Sequence, residues 1–592
     1  MYKVGIGLLG MLLASVVQAH TEERPFYRGG QDGNVVEAPN GARVNATYLD
    51  YWQGSRLGSE TIEVRPRVHT LHGYHLVNVH IIEGDSKLIV IDTGTKLGHG
   101  RDFRDIIDKF SQKPIGAIIY THHHYVGGAK GLLRDEDPAS ITVFGHPELQ
   151  NMLQTTHSVL GPMQQRRVAR QFGAYLPGEG PDAALMPKER SYADPSLNAS
   201  GFLPVTHPVE DGEVVNFDGV EIRFHHVVGD TRDSLIIEFP ELDTVAHNAA
   251  MTSVAFPLYT LRGDFFRPPV ELIAGLDKLR KLRPAYLLGA HGRPHTDAQQ
   301  AYDDLTAHRD AYSFIWNQSI RAINQGQTPE QMVQSIKLPV HLRSHPRLRP
   351  VYVDWEYGIR GIYRGMVGWY SEDGAELHPP TSAEVGDVLI NGFGSSDALL
   401  QEAQKAFADK KYNLAAQLMS WLIAAQPDNQ SARQLKADSL RTMAYATETG
   451  MQTRNFMLSE ALHLEGAIDW YKPSPRAMMS PPSTTSLMKL EITDLLRTME
   501  SRIDPQSAAD LQASFSFDIE NLGVYGLDVR RGVAEFVEAP GQGSNLQFSA
   551  SHLTIAKIML GEQSLLEAID QGLVTVEGDA TLAEPLARAL DI

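Results

Sequence analysis

Two short apolar runs separated by a helical stretch constrain the fold of this chain more than any other sequence feature. Lys87-Leu-Ile-Val-Ile-Asp92 and Ile115-Gly-Ala-Ile-Ile-Tyr120 have the composition of strands that are buried in a core. The residues at about 98–112 between them are predicted to form a helix. This strand–helix–strand order predicts an α/β layer.

A second strand series follows this layer. Its predicted strands are Glu213-Val-Val, Val220-Glu-Ile-Arg-Phe224, Ser234-Leu-Ile-Ile-Glu-Phe239, Thr244-Val-Ala246 and, last, Tyr286-Leu-Leu-Gly-Ala290. We therefore expect residues 61–300 to form one sandwich-like α/β domain.

Three further segments complete the predicted organisation. Residues 301–472 are predicted to be helical, with a repeat-like helix pair between Ala398 and Leu440 that favours helix packing in a dimer over a solenoid. Residues 473–485 are rich in Pro, Ser and Thr and are typical of a linker. Residues 486–592 combine helices with alternating strands, which predicts a small α+β domain.

The first 19 residues have the pattern of an export signal. Lys3 precedes an apolar stretch that ends near Val17, and Val17-Gln18-Ala19 places small residues at the −3 and −1 positions of a cleavage site before His20. The apolar stretch is short for a membrane span, although an N-terminal anchor is the alternative. We expect residues 20–60 to be an irregular arm and the mature protein to be periplasmic, with no membrane span.

Composition excludes several classes of function. The 592 residues suffice for three or four domains at roughly 150 residues each, and the formal net charge of −19 disfavours nucleic acid as a partner. The chain has no cysteine, which excludes disulfides, thiolate metal sites and thiol nucleophiles. Metal chemistry must therefore come from the 23 histidines together with carboxylates.

Several histidines stand where predicted strands end. His122 and His124, in Tyr120-Thr-His-His-His-Tyr-Val-Gly-Gly128, project from one side if the chain stays extended, and two such imidazoles can bind one zinc ion. The alternative is an exposed polar turn. Further metal-capable residues follow other strands: His225, His226, His247 and His291. Ligands collect at strand ends in α/β layers, so we expect a metal site there.

The order of these elements resembles the metallo-β-lactamase superfamily. The elements that match are Ile91-Asp-Thr-Gly94, Tyr120-Thr-His-x-His124, Gly229-Asp-Thr231 and Ala290-His-Gly292. Three other stretches resemble the alkylsulfatases within it: Arg166-Arg-Val-Ala-Arg-Gln-Phe-Gly-Ala-Tyr-Leu-Pro177, Tyr259-Thr-Leu-Arg-Gly263 and Ile362-Tyr-Arg-Gly-Met-Val-Gly-Trp-Tyr370. The resemblance implies an αββα sandwich, then an α-helical dimerisation domain, then a small α+β sterol-carrier-like domain.

The metal motif departs from the family pattern. The family usually has Thr-His-x-His-x-Asp-His-x-Gly-Gly, whereas here Gly127-Gly128 comes two residues early and the Asp-His pair is missing. A family Glu corresponds to Asp230, and the Glu of an Ala-Glu-Asn motif corresponds to His247. The site is therefore rebuilt with new ligands, reduced to one metal ion, or decayed.

The resemblance implies roles for individual residues. His122, His124, Asp230 and His291 would bind one or two Zn²⁺ ions, with His247 beside them. Arg262 would hold the sulfate oxygens of the substrate, or else form a structural salt bridge. Tyr357 is a second candidate catalytic residue. Asp92 would orient a histidine or cap its own turn.

Three functions remain open from the sequence. The first is a metal-dependent hydrolase that cleaves an amphiphilic alkyl sulfate into alcohol and sulfate, acting as a homodimer. The second is a related metallo-hydrolase for another ester or a lactone. The third is a non-catalytic lipid- or surfactant-binding protein with a vestigial metal site.

Overall fold

A computed structural model describes most of the chain. The described residues are 34–56, 58–157, 160–185, 192–447, 450–472, 474, 484–488, 491–540 and 543–592. The predicted export signal and the beginning of the predicted arm lie outside the described residues, as does most of the predicted linker. No helix in the described part of the chain has the length and apolar character needed to cross a membrane.

The arm is structured where it is described, although an irregular segment was predicted. A hairpin of β1 (Val35–Glu37) and β2 (Arg43–Asn45) precedes a helix, Ala46–Arg56. The amide of Asn45 donates to the carbonyl of Ala446, and the guanidinium of Arg454 donates to the carbonyl of Arg43. Because its polar groups bond to the helical region, the segment becomes ordered through contacts that its own sequence pattern does not reveal.

Two sheets form the core of the next domain. The seven-stranded sheet has the order β3 (Glu60–Arg65), β4 (Val68–His72), β5 (Val79–Glu83), β6 (Leu88–Ile91), β7 (Ile115–Ile119), β8 (Thr142–Gly145) and β9 (His207–Pro208). The five-stranded sheet has the order β10 (Val214–Phe217), β11 (Val220–Val227), β12 (Ser234–Phe239), β13 (Thr244–His247) and β14 (Tyr286–Gly289). Strands β6 to β9 are parallel, as are β13 and β14.

Strand periodicity explains why β6 and β7 are apolar throughout. Ile89 and Ile91 pack between the two sheets, whereas Leu88 and Val90 pack under the outer helices of the first sheet. Successive side chains of a strand point to opposite faces, so a strand that is covered on both faces must be apolar at every position. The predicted αββα sandwich is confirmed.

Helices cover both outer faces of the sandwich. The first sheet is covered by Leu97–Ile107 and Ala129–Leu132, and the second by Pro269–Leu282 and Ala298–Asn324. Two more helices lie in the loop before β9: Leu149–His157 and Gly161–Gln171.

The helical region and the small domain follow as predicted. The helices are Pro329–Ser335, Val340–Arg343, Trp355–Val367, Ser382–Phe393, Ser396–Ala408, Tyr412–Ala425, Gln430–Ala446 and Met451–Leu464. The last domain has the sheet order β17 (Val533–Val537), β16 (Gly523–Arg530), β15 (Ala513–Ile519), β18 (Leu546–Ala550) and β19 (Val574–Gly578). Its helices are Thr484–Leu487, Ile492–Arg497, His552–Met559, Leu565–Asp570 and Ala583–Leu590.

Three buried histidines predict a loss of stability in acid. Burial lowers the pKa of His80 and of His308 to about 4 and that of His247 to about 3, against 6.5 for an exposed histidine. Between those values the unfolded chain binds protons that the folded protein excludes. The free energy of unfolding should therefore fall as the pH falls from about 6.5 towards 4, by at most about 1.4 kcal/mol per pH unit for each histidine.

Urea unfolding between pH 7 and pH 4.5 measures this slope. His247→Leu removes one of these groups and should make the slope less steep, by at most about 1.4 kcal/mol per pH unit. His378→Leu, at an exposed position, is the matched control and should leave the slope unchanged. A slope in His247→Leu as steep as in the wild type would contradict the assignment.

Candidate metal centre

A tight turn after β7 brings the two predicted histidine ligands together. His122 has extended backbone angles, and a 3₁₀ turn, His123–Tyr125, follows it. The ring centroids of His122 and His124 are 4.8 Å apart. An extended chain was predicted to place these two side chains on one side. The histidines do converge, but through the turn, because the strand ends at Ile119 before reaching them.

His122, His124 and Asp230 form a group whose ligand atoms all lie within 4.8 Å of one another. Oδ2 of Asp230 is 2.9 Å from Nδ1 of His124 and 3.7 Å from Nε2 of His122. Ligands about 2.0–2.1 Å from a tetrahedral zinc ion are about 3.3 Å apart, so these spacings suit such an ion. Nε2 of His122 is buried and has no hydrogen-bond partner among the described residues. The group therefore fits a divalent metal ion.

A hydrogen-bond relay from Asp92 orients His122. The two carboxylate oxygens of Asp92 accept from the backbone N–H of Thr121 at 2.9 Å and from its hydroxyl at 2.7 Å. The Thr121 hydroxyl donates its proton in a hydrogen bond to Asp92, so its oxygen can accept a hydrogen bond from Nδ1–H of His122 at 3.0 Å. That tautomer leaves a lone pair on Nε2, the atom that faces Asp230.

Protonation states in the group suit metal binding. Burial lowers the pKa of His122 well below its ordinary value and also lowers that of His124. Burial would raise the pKa of Asp230, but the Arg267 guanidinium and His124 hold it well below its usual range. Two neutral imidazoles and one carboxylate are the forms in which these residues ligate a metal.

Arg267 holds Asp230 in place. Its Nη2 is 2.7 Å from Oδ1 of Asp230, and its Nε donates to the Asp230 carbonyl at 3.0 Å. Asp264 accepts from the same Nη2 at 2.9 Å, and Nη1 donates to the Pro257 carbonyl. Arg267 is 2% exposed, so its guanidinium forms these bonds away from water.

Arg262 extends this network of charges. Its Nη2 lies 2.5 Å from Oδ2 of Asp264, and its side chain is 11% exposed. Nη1 reaches a protein acceptor, the Gly263 carbonyl, at 3.5 Å, which is a weak contact. Gln171 fixes the backbone, since its Oε1 accepts from the N–H of Arg262 and from the hydroxyl of Thr260. Arg262 thus forms a salt bridge through Nη2, while its Nη1 can still donate a strong hydrogen bond.

His291 lies beside the group but bonds to a tyrosine. Its Nε2 is 2.9 Å from the hydroxyl of Tyr125, and its Nδ1 is 3.2 Å from the carbonyl of Leu76. The Tyr125 ring packs edge-on against His122 at 4.8 Å and against His291 at 5.6 Å. His291 was predicted as a ligand; the structure places it next to the group of three, with Tyr125 as its direct partner.

Two other predicted site residues, His247 and Tyr357, have other neighbours than the group of three. His247 belongs to β13, where alternation places it on the same side as Val245, which packs under the helices of the second sheet. His295, His80 and His308 are the titratable groups that act on His247. The hydroxyl of Tyr357 bonds to Thr453 at 2.6 Å.

The charged groups that affect the pKa of Tyr357 are Asp354, Glu356 and Arg360. None of these three belongs to the metal group. By contrast, the charges of Arg262 and Asp230 both act on the pKa of Tyr352. The Tyr352 hydroxyl accepts a hydrogen bond from Gln171. The helical region therefore contributes Tyr352, and not Tyr357, to the neighbourhood of the metal group.

Three other histidines near strand ends, His123, His225 and His226, have structural partners. His123 is buried, and both its backbone N–H and its Nδ1 bond to Asp233, at 2.8 and 3.0 Å. His225 pairs with Glu238, and His226 bonds to the Val209 carbonyl. These contacts fix loops and strands around the group.

Sequence reasoning missed Arg267, Asp264, Asp233 and Tyr125. Arg267 and Asp264 follow the recognised Tyr259–Gly263 stretch but carry no pattern of their own. Asp233 is three residues after Asp230, a spacing that signals a turn but not its partner. Tyr125 stands inside the recognised motif, and its place beside the histidines was the one available signal.

The glycine pair after Tyr125 explains how the shortened motif is tolerated. A Cβ on Gly128 would lie 1.8 Å from the carbonyl oxygen of Thr93. The N–H of Gly128 donates to the Thr93 hydroxyl at 3.1 Å. The turn that contains the histidines is therefore pressed against the turn that contains Asp92, and only glycine permits this approach.

Asp92→Asn tests the relay to His122. Asp92 has φ of +59°, and asparagine is among the few residues that adopt this conformation readily, so the variant should keep the backbone. Loss of the carboxylate should weaken zinc affinity by about 10- to 100-fold, measured by competition with a chromogenic chelator. Asp218→Asn, at another position with positive φ on the surface, is the matched control. Unchanged affinity in Asp92→Asn would contradict the relay.

Comparisons with known families and relatives find the same family that the sequence motifs resemble. The metallo-beta-lactamase superfamily model matches residues 72–291, the alkyl sulfatase dimerisation model residues 328–467, and the alkyl sulfatase C-terminal model residues 480–592. A linear primary-alkylsulfatase from Pseudomonas sp. is 30% identical over 512 residues, covering 84% of this chain and 96% of that protein. An (R)-specific secondary-alkylsulfatase from Pseudomonas sp. is 27% identical, covering 87% of this chain and 78% of that protein.

A solved structure shows the same fold. The structure of the stereoselective inverting sec-alkylsulfatase Pisa1 from Pseudomonas sp. matches with a TM-score of 0.80 and 23% identity, covering 100% of this chain and 97% of that chain. The resemblance predicted from the motifs is thereby confirmed. The chain belongs to the alkylsulfatase family of the metallo-β-lactamase superfamily.

Proposed function

We propose that this protein is a metal-dependent hydrolase that cleaves alkyl sulfate esters to an alcohol and sulfate. The observation that carries the proposal is the group of His122, His124 and Asp230 next to a cationic Arg262. The relatives named above are alkylsulfatases, which supports this substrate class. The group of three metal-capable side chains counts against a non-catalytic binding protein with a vestigial site.

Each residue of the proposed centre has its own role beside the metal ion. A bound divalent cation, which we propose is zinc, supplies Lewis acidity and a nucleophile at neutral pH. His122 and His124 bind as neutral imidazoles, and Arg267 keeps Asp230 ionised and directed at them. The Arg267 side chain is almost fully buried, so its charge interacts strongly with that of Asp230.

We propose that Arg262 holds the sulfate group. A sulfate monoester carries one negative charge, whereas the chain as a whole has a net charge of −19 and repels it. Nη2 of Arg262 is held by Asp264, while Nη1 retains donor capacity for a sulfate oxygen. Asp264 and Gln171 act as positioning residues for this guanidinium.

Product analysis tests the reaction. Purified, zinc-loaded protein should release one sulfate for each dodecyl sulfate consumed, measured by ion chromatography. Dodecanoate esters and lactones should release no carboxylic acid above the blank. Hydrolysis of these esters or lactones in place of dodecyl sulfate would replace the proposal with the other metallo-hydrolase.

Arg262→Lys tests the sulfate clamp. Lysine keeps the charge but loses the planar fork, so kcat/KM should fall by about 10- to 100-fold, or about 1.4–2.7 kcal/mol. Zinc content should stay unchanged because arginine is not a ligand. Arg223→Lys, which replaces a more exposed arginine of the same domain, is the control. Activity of Arg262→Lys within about twofold of wild type would show that Arg262 serves only its salt bridge to Asp264.

We further propose a homodimer built on the helical region. The dimerisation model matches residues 328–467, and large apolar side chains in that range are exposed: Met366, Val367, Trp369, Tyr370, Val388 and Phe393. Trp369 is 63% exposed and lies edge-on to Tyr370, so these two side chains form part of an exposed apolar patch of the kind that marks protein interfaces.

Light scattering tests the dimer. The wild type should have twice the chain mass at micromolar concentration, and Trp369→Glu should shift the population towards monomer. Val533→Glu, at an exposed apolar position in the last domain, should remain dimeric. A monomeric wild type would contradict the proposal.

The periplasmic location remains a proposal from the export pattern of residues 1–19. N-terminal sequencing of the protein from a periplasmic extract should begin at His20. A sequence that begins at Met1 or at Tyr2 would contradict cleavage.

A further inference from the structure

The donors available around the proposed centre suffice for one ion. Among the described residues, His122, His124 and Asp230 are the one group of at least three metal-capable side chains with mutually close ligand atoms. A second ion in a two-metal hydrolase lies about 3.5–4 Å from the first and needs protein ligands of its own. The question is whether any neighbouring side chain can supply them.

His291 is the nearest candidate, and both its ring nitrogens are engaged. Nδ1 lies 3.2 Å from the Leu76 carbonyl, which can only accept, so Nδ1 must carry the proton. In a neutral ring Nε2 then holds the lone pair, and the Tyr125 hydroxyl, 2.9 Å away, donates to it. The lone pair that a metal ion would need is therefore capped by the tyrosine proton.

Tyr125 is held firmly in this position. Its carbonyl accepts from the backbone N–H of Thr93 at 2.9 Å and from the Thr93 hydroxyl at 2.8 Å. Its side chain is buried, and the ring packs edge-on against both His122 and His291. The hydroxyl thus lies between the ligand group and His291 as part of the packed turn.

Two other metal-capable side chains nearby, Asp92 and Asp233, are also committed. Both carboxylate oxygens of Asp92 accept from Thr121, and Asp233 bonds to Nδ1 and to the backbone of His123. Nε2 of His123 is buried without a hydrogen-bond partner among the described residues. No second group of ligand atoms surrounds it within the described ranges.

From these contacts we infer that the centre takes a single divalent ion, bound by His122, His124 and Asp230, and that Tyr125 with His291 closes the adjacent position. The inference rests on the proposed metal-dependent function only in assuming that this group binds metal. It goes beyond that function because it fixes the number of ions and gives His291 a hydrogen-bonding role. The cationic Arg262 then provides, next to the ion, positive charge for the sulfate.

Metal counting on the intact protein tests the inference. Apo protein is titrated with Co²⁺, and the visible absorption of the bound ion is followed together with elemental analysis after desalting. We expect saturation at one equivalent per chain. Saturation at two equivalents would overturn the inference.

Variants separate ligands from neighbours. His124→Ala should lose the stoichiometric ion, whereas His291→Gln and Tyr125→Phe should each still bind one equivalent with the same cobalt spectrum. His225→Ala, which breaks a histidine–carboxylate pair away from the centre, is the matched control and should bind one equivalent. Loss of the ion or a changed spectrum in His291→Gln would show that His291 is a ligand and overturn the inference.

Sulfate release measured on the same samples distinguishes the two claims. One equivalent of metal without sulfate release would overturn the proposed function and support the single-ion centre. Two equivalents with sulfate release would support the function and overturn the single-ion centre.

Discussion

The close contact between two turns, one after β6 and one after β7, is the constraint on which the rest of the site depends. Asp92 follows the first strand and bonds to Thr121, which lies just after the second strand and orients His122. Gly128 allows the histidine turn to lie directly on Thr93. Because β6 and β7 are buried on both faces, the strand ends are fixed by the core, and the relay transfers that rigidity to His122, the proposed metal ligand.

An alternation of opposite charges offsets the free-energy cost of burying ionised side chains in the site. Arg262, Asp264, Arg267, Asp230 and His124 follow one another, each within 3 Å of the next. A lone charge in this region would cost several kcal/mol in lost hydration, and each opposite neighbour offsets part of that cost. The same arrangement keeps Asp230 ionised for the metal and leaves Arg262 with donor capacity for an anion.

Much of this could be predicted from the sequence. The buried runs at Leu88–Ile91 and Ile115–Ile119 indicate their strands directly, since apolar residues at every position require burial on both faces. His122, His124 and Asp230 could be found because they follow strands in recognisable motifs. The positions of His247 and Tyr357 could not be predicted. Which face of a sheet a strand residue points to, and where a helix packs, depend on partners distant in the chain. Arg267 was missed for the same reason: its role arises only when its loop folds over Asp230.

Anomalous X-ray diffraction at the zinc absorption edge tests the central claim most directly, because it locates the ion and counts it. The account predicts one peak per chain, within about 2.3 Å of ligand atoms from each of His122, His124 and Asp230, and none bound by His291. A second peak next to His291, or a single peak away from those three residues, would contradict it.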